Sequence, residues 1–464
     1  MLAEIKPVWK KPDLEDYLRC AEEAGRWLRS VEIQGPGGSF WLKDLSGKTE
    51  QGHIDLYHGS AGIILFFIQL AHASGNSSWL EDAGRGGNYI LSRFRESSFD
   101  AITGAGVGGN HYKTGTRWTL YVGGWAGIAF SLIELFKAAG ERQYRDAAGE
   151  ITDAIAANAR EEKGALIWSG KSGINFDSGI ILFLLYAARF FGRPEWRDLA
   201  ARAGGDILST GKSKNGGIRY DGFESMVTAM FGISDDEEAH MPGFAYGTAG
   251  ISYTLARLYQ ETGNQAFLDG AKKGADYITG AAHVEGDAAL VPHRIPEWNN
   301  LFYLGHCHGV VGTGKLFYLL HEITGEGFYE EWQEKLIRGL LKTGAPEIHS
   351  PGYWHCFSWC CGTAGFINLF AGIYLKRREE RYLEYARRSG NVILSEASVD
   401  DSGVKWYQMF KRIAPDEVSL EPGYGSGAAG IGTALTHLYL AGKGRAPVLR
   451  FPDEPYCTGA AGPV

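Results

Sequence analysis

Seven segments of the chain are apolar on all sides over several helical turns. Two of them read GIILFFIQLAHASG from Gly62 and GISYTLARLYQETG from Gly250. Continuous apolarity of this kind predicts helices that are buried all round. Segments such as 266–278 and 380–394 follow them, with apolar residues only at helical spacing and charges between. These predict outer helices that keep one face in water.

A glycine-flanked turn of the form GxxG precedes each buried helix and recurs every 53 to 68 residues. A degenerate copy spans Asn175 to Leu182, where we take Gly179 as the first glycine and Leu182 as the replacement of the second. The regular copies are Gly59–Gly62, Gly124–Gly127, Gly247–Gly250, Gly309–Gly312, Gly362–Gly365 and Gly427–Gly430. Glycines at 75, 140, 192, 263 and 325 suit the left-handed position that ends a helix.

One inner and one outer helix cannot bury an apolar face alone, so such units stack on their neighbours. Seven units predict an all-α fold, an α/α toroid (barrel) with an inner and an outer ring of helices. An open solenoid is the alternative, but it leaves the apolar inner helices without dry surroundings. We expect an N-terminal outer-helix segment at 1–50, the seven-repeat toroid at 51–445 and a C-terminal tail at 446–464. The glycine turns then meet at one mouth, where backbones pack closely.

Composition narrows the class of protein. The chain has 464 residues, 44% of them hydrophobic, and 65 glycines, about twice the ordinary usage. Its net charge of -8 comes from mixed acidic and basic residues without a basic block, which argues against nucleic acid as a partner. The sequence shows neither a signal peptide nor an apolar stretch of about 18 residues, so we expect a cytoplasmic protein without membrane insertion.

Cysteines mark two neighbouring turns. Cys307 stands just before the turn at Gly309, and Cys360 and Cys361 stand just before the turn at Gly362. Equivalent turns of adjacent units place the three thiols side by side, and three thiolates predict a Zn²⁺ site with one open position. The alternatives are small buried hydrophobic residues or a vicinal disulfide of Cys360 and Cys361.

The candidate zinc ligands also indicate which type of reaction the site favours. His308 or Cys356 could supply a further zinc ligand. Three thiolates surround the metal with negative charge and make it a weaker Lewis acid than one held by histidines. Such a site favours binding and activating a further thiolate over the activation of water. The sequence therefore favours thiol addition or transfer.

These motifs resemble the lanthionine synthetase C (LanC) family. The resemblance rests on Cys307-His308-Gly309, on Cys360-Cys361-Gly362 and on the recurring GxxG turns, and it extends over nearly the whole chain after about residue 50. It implies a toroid of seven inner helices, and a zinc-dependent cyclase that adds a cysteine thiol to dehydroalanine or dehydrobutyrine to form a thioether. By resemblance the three cysteines are the zinc ligands, in a three-cysteine branch. The partner would be a dehydrated precursor peptide or a small thiol such as glutathione.

The proton-handling residues depart from the family pattern. Tyr246 stands where the family carries histidine, and Asp177 is the candidate acidic residue of the third turn, with a helix N-cap as its alternative role. The arginine that the family often has shortly before the metal cysteine is missing from 301–306. His306 and His308 could supply the proton relay instead. Tyr57, His58 and His355 also lie near turns, where a structural role is more common.

Two other functions compete with the cyclase. α/α barrels with aromatic mouths also serve carbohydrate-active enzymes, but those usually have six units and paired carboxylates or histidines. A zinc-stabilised peptide-binding protein without catalysis fits the tyrosine at position 246. Stoichiometric zinc separates the carbohydrate enzyme from the other two.

Overall fold

The computed structural model describes residues 12–46, 52–97, 117–221, 239–296, 300–409, 411–412 and 414–456. Parts of the predicted terminal segments, at 1–11, 47–50 and 457–464, lie outside the described residues. The helices are α1 (Leu14–Ser30), α2 (Ser60–Ser74), α3 (Ser78–Ser97), α4 (Trp125–Ala139), α5 (Arg142–Ala157), α6 (Asp177–Phe191), α7 (Pro194–Ser209), α8 (Thr248–Thr262), α9 (Gln265–Ala281), α10 (Val310–Thr324), α11 (Gly327–Lys342), α12 (Thr363–Arg377), α13 (Glu380–Ser395) and α14 (Ala428–Gly442).

The even-numbered helices form the inner ring and are almost entirely buried. Each contacts the next inner helix, and α14 contacts α2, which closes the ring. The odd-numbered helices bury one face and form the outer ring. Helix α1 packs on α14, so the start of the chain supplies the outer partner of the last inner helix. The predicted α/α toroid is confirmed, and the open solenoid is wrong.

Left-handed residues end six of the inner helices. Gly75, Gly140, Gly192, Gly263 and Gly325 have φ between +68° and +77°, as the sequence predicts. In the sixth unit Arg378 takes this conformation with φ +57°. A stop of this kind turns the chain sharply towards the outer helix of the same unit.

Backbone hydrogen bonds connect the glycine turns from one unit to the next around the mouth. The N–H groups of Tyr57, Asn175, Ala245, Cys307, Cys360 and Gly425 donate to the carbonyl oxygens of Tyr121, Ala245, Cys307, Cys360, Gly425 and Tyr57, respectively. Cys307 and Cys360 therefore occupy the same position in adjacent turns. This arrangement brings the predicted metal ligands together.

The third turn has a different register from the one we expect. A Cβ on Gly62 would lie 2.1 Å from the carbonyl oxygen of Leu56, and a Cβ on Gly179 would lie 2.1 Å from that of Ile174. Gly179 is thus the second glycine of its turn, and Phe176 takes the N-cap place of the first. The predicted register, with leucine in place of the second glycine, is wrong. The third turn is one residue shorter than the first, which hides the match in the sequence.

Short β-hairpins follow several outer helices, and the sequence analysis did not predict them. Trp41, Trp168 and Trp406 anchor three hairpins, because each indole N–H donates to a carbonyl thirteen residues earlier in the chain. Antiparallel pairs are β1–β2, β2–β3, β4–β5, β6–β7, β8–β9 and β12–β13, and β10 pairs with β11 in parallel. The strands are β1 (Ile33–Gly35), β2 (Gly38–Leu42), β3 (Gly52–His53), β4 (Arg160–Glu162), β5 (Ala165–Ile167), β6 (Lys212–Lys214), β7 (Gly217–Arg219), β8 (His283–Glu285), β9 (Ala288–Leu290), β10 (Phe302–Tyr303), β11 (Tyr353–Trp354), β12 (Ser398–Asp400) and β13 (Gly403–Lys405).

The chain after α14 returns into the barrel and packs among the inner helices. Phe451 contacts Phe130 of α4 with ring centroids 5.2 Å apart, and Tyr456 contacts Tyr318 of α10 at 4.6 Å. Asp453 lies between them in sequence and is fully buried. This segment therefore belongs to the core. Within the described ranges, no helix has the length and apolar character needed to cross a membrane.

Candidate metal centre

Three cysteine thiols meet at the mouth of the barrel. The Sγ atoms of Cys307 and Cys361 are 3.5 Å apart, and those of Cys307, Cys360 and Cys361 all lie within 4.8 Å of one another. The three side chains are buried, with 5–8% of their surface exposed. All three thiols are free, so the predicted alternative of a vicinal disulfide is wrong.

Hydrogen bonds among the three thiols lower the pKa of one of them and raise the pKa of the other two. The thiols of Cys307 and Cys361 donate to the sulfur of Cys360 and lower its pKa. The same interaction raises the pKa of Cys307 and of Cys361, because each loses a favourable contact when it ionises. Because metal ligands must be deprotonated, a metal ion bound by these cysteines would displace their protons.

The spacing of the sulfurs fits a metal ion. Tetrahedral Zn²⁺ with Zn–S bonds of about 2.3 Å sets neighbouring sulfurs about 3.8 Å apart. Among the residues that the structure describes, this group of mutually close ligand atoms contains neither His308 nor Cys356. Cys356 instead places its Sγ 3.1 Å from the hydroxyl of Ser358. The arrangement is therefore three sulfur donors, which leaves one position of a tetrahedron for another ligand.

His308 and Tyr246 form one wall beside the cysteines. Their rings stack with centroids 5.2 Å apart, and Tyr303 and His293 lie 5.5 Å and 4.5 Å from the ring of His308. Burial lowers the pKa of His308 to about 4, so its imidazole is neutral at pH 7. Its Nδ1 is buried without a hydrogen-bond partner among the described residues. The wall therefore consists of two imidazoles and two phenols.

His306 lies on the opposite side of Cys307 and faces the interior of the barrel. Its ring packs 4.5 Å from that of Trp359, and its Nε2 lies 3.5 Å from a carboxylate oxygen of Asp453. Burial and the nearby Lys315 lower the pKa of His306 to about 4. The contact with Asp453 connects the metal turn with the C-terminal segment.

Asp177 has a structural task in the third unit. It is the first residue of α6, so the expected N-cap role is wrong. Its carboxylate accepts hydrogen bonds from the N–H groups of Trp168, Ser169 and Gly170, and from the Ser169 hydroxyl at 2.6 Å. These bonds hold the end of the β4–β5 hairpin against the start of the helix. The structure does not test a catalytic role for Asp177, which stays a prediction.

Several residues around the cysteines escaped the sequence analysis. Tyr303 accepts a hydrogen bond from the Arg412 guanidinium at 3.3 Å, so an arginine does reach this wall from a distant segment. His293, Trp359 and Asp453 also contact the histidines that flank Cys307. Trp359 directly precedes Cys360 in the sixth turn, but His293 and Asp453 stand in none of the glycine turns. Only the closed ring brings them together.

Comparisons with known proteins give one family model and several solved structures that are similar to this chain. The family model "Lanthionine synthetase C-like protein" matches residues 115–404. The solved structure of nisin cyclase is similar with a TM-score of 0.60 at 18% identity, over 84% of this chain and 89% of nisin cyclase. Cellobiose 2-epimerase from Bacillus thermoamylovorans gives a TM-score of 0.47 at 11% identity, over 93% of this chain and 99% of the epimerase.

At these identities the likeness to solved structures concerns the fold alone. The match to nisin cyclase indicates that the two chains share a fold. The family model is more specific and spans well over half of the chain, including both cysteine-bearing turns. The protein therefore belongs to the lanthionine synthetase C-like family.

Proposed function

We propose that the protein is a zinc-dependent cyclase that adds a cysteine thiolate to dehydroalanine or dehydrobutyrine and forms a thioether. The observation that carries the proposal is the group of three buried sulfurs within 4.8 Å of one another. We assign Cys307, Cys360 and Cys361 as the zinc ligands, in a three-cysteine branch of the family. Membership of the LanC-like family supports the same chemistry.

The proposed reaction needs a thiolate at neutral pH and a proton donor. Bound zinc would supply a position that holds the substrate sulfur as a thiolate. When this sulfur attacks the β-carbon of a dehydroamino acid, a C–S bond forms and the π electrons move towards the α-carbon and its carbonyl. The α-carbon then takes a proton, which replaces the one that the thiol has lost.

Tyr246 and His308 are the proposed proton-handling pair. The phenol of Tyr246 can donate a proton to the enolate, although its ordinary pKa near 10 makes it a slow exchanger at neutral pH. The stacked, neutral imidazole of His308 lies beside it and adjoins the ligand Cys307. For His306 and Asp177, the contacts with Asp453 and with 168–170 favour roles in positioning the turns.

The proposed substrates follow from the thiol chemistry. A dehydrated peptide supplies the acceptor, and the thiol comes from a cysteine of the same peptide or from a small thiol such as glutathione. We place the reaction in the cytoplasm, because reducing conditions keep buried cysteines free for metal binding.

The direct test is adduct formation followed by mass spectrometry. Zinc-loaded protein is incubated with a dehydroalanine peptide and a thiol, and the rate is compared with that of the uncatalysed reaction. We expect the Cys361→Ala variant to lose both zinc and acceleration. Cys20→Ala is the matched control, because Cys20 is a buried free thiol on outer helix α1, and it should change neither.

The outcomes separate the competing functions. Bound zinc without acceleration, with several peptides and with glutathione, would favour the zinc-stabilised peptide-binding protein. Absence of stoichiometric zinc would favour a carbohydrate-active α/α barrel. Zinc retained in full by Cys361→Ala would contradict the ligand assignment.

A further inference from the structure

A second group of metal-binding side chains lies in the first turn of the barrel. His53, Asp55 and His58 precede α2, and one ligand atom from each lies within 4.8 Å of the other two. The three side chains are 6%, 3% and 2% exposed. Two imidazoles and a carboxylate buried together need a physical explanation, because water is not available to solvate them.

The distances between the two imidazoles and the carboxylate are too long for hydrogen bonds. The Nδ1 atom of His53 is 3.6 Å from one oxygen of Asp55, and the Nδ1 atom of His58 is 3.7 Å from the other. An N–H···O hydrogen bond spans about 2.7–3.2 Å. A tetrahedral ion with bonds of about 2.1 Å sets its ligands about 3.4 Å apart, closer to the observed spacing.

A second observation concerns His58 alone. Its Nδ1 is buried and has no hydrogen-bond partner in the part of the chain that the structure describes. A buried nitrogen without a hydrogen-bond partner is unfavourable, so such an atom in a native protein needs a ligand, a water molecule or strain to explain it. The nitrogen faces the carboxylate of Asp55, and a cation between them would satisfy both groups.

The fold of the turn does not itself require this set of side chains. Asp55 accepts a hydrogen bond from the His58 N–H at 2.8 Å, which stabilises the turn. In the sixth unit the hydroxyl of Ser358 accepts the equivalent bond from the Cys361 N–H at 3.0 Å. A neutral hydroxyl thus suffices to hold such a turn, so the negative charge and the two imidazoles are additional.

The scaffold around the group is rigid. The backbone of His53 pairs with Trp41 in the β2–β3 ladder, and its carbonyl accepts a hydrogen bond from Ser60 at the start of α2. Asp55 and His58 follow in the turn that joins β3 to α2. All three ligands are thus held between a strand and a helix, which favours preformed coordination.

We propose that His53, Asp55 and His58 bind a second divalent transition-metal ion, separate from the cysteine centre. Imidazole and carboxylate donors suit Zn²⁺ and its spectroscopic substitute Co²⁺, whereas three thiolates form the softer site. The role we infer is structural. Tyr57 lies between the two centres, since its ring is 4.6 Å from that of His58 and its hydroxyl hydrogen-bonds to Cys360. The ion would hold the first turn in place. The seventh turn connects the first turn with the sixth, because the Gly425 N–H donates to Tyr57 and the Cys360 N–H donates to Gly425.

The test is Co²⁺ binding to metal-free protein, measured by equilibrium dialysis, metal analysis and optical absorption. We expect two Co²⁺ per wild-type chain. A variant with Cys307, Cys360 and Cys361 all changed to alanine should bind one, without the sulfur-to-cobalt charge-transfer absorption. Asp55→Asn keeps an oxygen that can accept from the His58 N–H. It should weaken binding of the second Co²⁺ by more than the about 10-fold that losing a partner outside the coordination shell costs.

Controls make the result independent of folding and of the proposed reaction. His437→Gln removes a partly buried histidine, which bonds to Asn368 and belongs to neither group, and this variant should still bind two ions. Circular dichroism verifies that each variant is folded. If the folded triple-cysteine variant binds no Co²⁺, or if Asp55→Asn binds its second Co²⁺ as tightly as wild type, the proposal is wrong. A failure of thiol addition would leave both of these measurements unchanged.

Discussion

Replacing Asp453 with asparagine removes a negative charge from the centre of the barrel. Asp453 accepts a hydrogen bond from the Tyr121 hydroxyl at 2.7 Å, and its other oxygen lies 3.4 Å from the ammonium group of Lys315. The asparagine oxygen can still accept the bond from Tyr121. The substitution therefore acts mainly on the charge opposite Lys315.

The structure sets the size of the expected loss. Removing one partner of a buried ion pair costs about 3–5 kcal/mol when the other charge is left uncompensated. Lys315 keeps a second carboxylate, because Glu454 lies 3.2 Å from its Nζ. We therefore expect the smaller cost of a lost charge-assisted hydrogen bond, about 1.5–3 kcal/mol in the free energy of unfolding.

The loss should depend on pH. Burial alone would raise the pKa of Asp453, but Lys315 and His306 hold it below its usual range. Since the folded pKa lies below the unfolded value of about 3.9, the stabilisation is complete above that pH and disappears as the pH falls through the folded pKa. The difference between wild type and Asp453→Asn should thus be largest at neutral pH and shrink below about pH 4.

Urea unfolding followed by tryptophan fluorescence measures this difference at each pH. Asp198→Asn is the control, because Asp198 is exposed on α7, and it should change the unfolding free energy by less than about 0.5 kcal/mol. A loss at neutral pH no larger than that of the control would refute the reasoning. A loss that stays constant into acid would refute the assignment of the effect to the ionised carboxylate.

Three further substitutions test separate parts of the account. Gly62→Ala places a Cβ 2.1 Å from a backbone oxygen and should lower the unfolding free energy by about 3 kcal/mol or more. Gly205→Ala, which has open space on α7, should raise the unfolding free energy by about 0.5–1 kcal/mol. Calorimetry compares the two variants, and equal effects would contradict the close packing of the turns. Trp168→Phe removes a hydrogen bond to α5 and should cost about 1–3 kcal/mol, with faster amide exchange in the β4–β5 hairpin; unchanged exchange would argue against the anchor. Tyr246→Phe should slow thiol addition about 100-fold at unchanged zinc content, and a rate equal to wild type would remove Tyr246 from the mechanism.

Much of the fold was predictable because each repeat has the same local sequence pattern, a glycine turn followed by an apolar helix. The helix from Gly62 to Gly75 begins at a glycine turn, is apolar on all sides and ends at a left-handed glycine. Such a helix requires other apolar elements packed on each side of it. Closure of the ring follows from this requirement alone. The register of the third turn was not predictable, because one missing residue moves Phe176 to the place of a glycine.

The hairpins were missed although the sequence carries a signal for them. Asn215 and Gly216 have φ of +50° and +80°, and an Asn-Gly pair between two short extended runs indicates a two-residue hairpin turn. The strands have only three residues each, so the alternation of polar and apolar positions is too short to register beside the strong helical pattern.

Some residues of the candidate site were predictable from the sequence, and others were not. Cys307, Cys360 and Cys361 were predictable because they stand at equivalent places in a repeat, and the ring brings their sulfurs together. Asp453 carries no such mark, since it reaches His306 from a tail that the pattern leaves outside the barrel. His58 was visible near its turn, but its relation to Asp55 depends on side-chain directions that only the three-dimensional structure provides.

The central claim is that three cysteine sulfurs hold a zinc ion that accepts a further thiolate. X-ray absorption at the zinc edge tests it most directly, on the Asp55→Asn variant loaded with one zinc per chain, because this variant weakens the His53, Asp55 and His58 group. The account predicts three sulfur neighbours at about 2.3 Å and one lighter neighbour without substrate, and four sulfur neighbours after a thiol is added. A first shell that is dominated by nitrogen and oxygen, or one that does not change when the thiol is added, would contradict it.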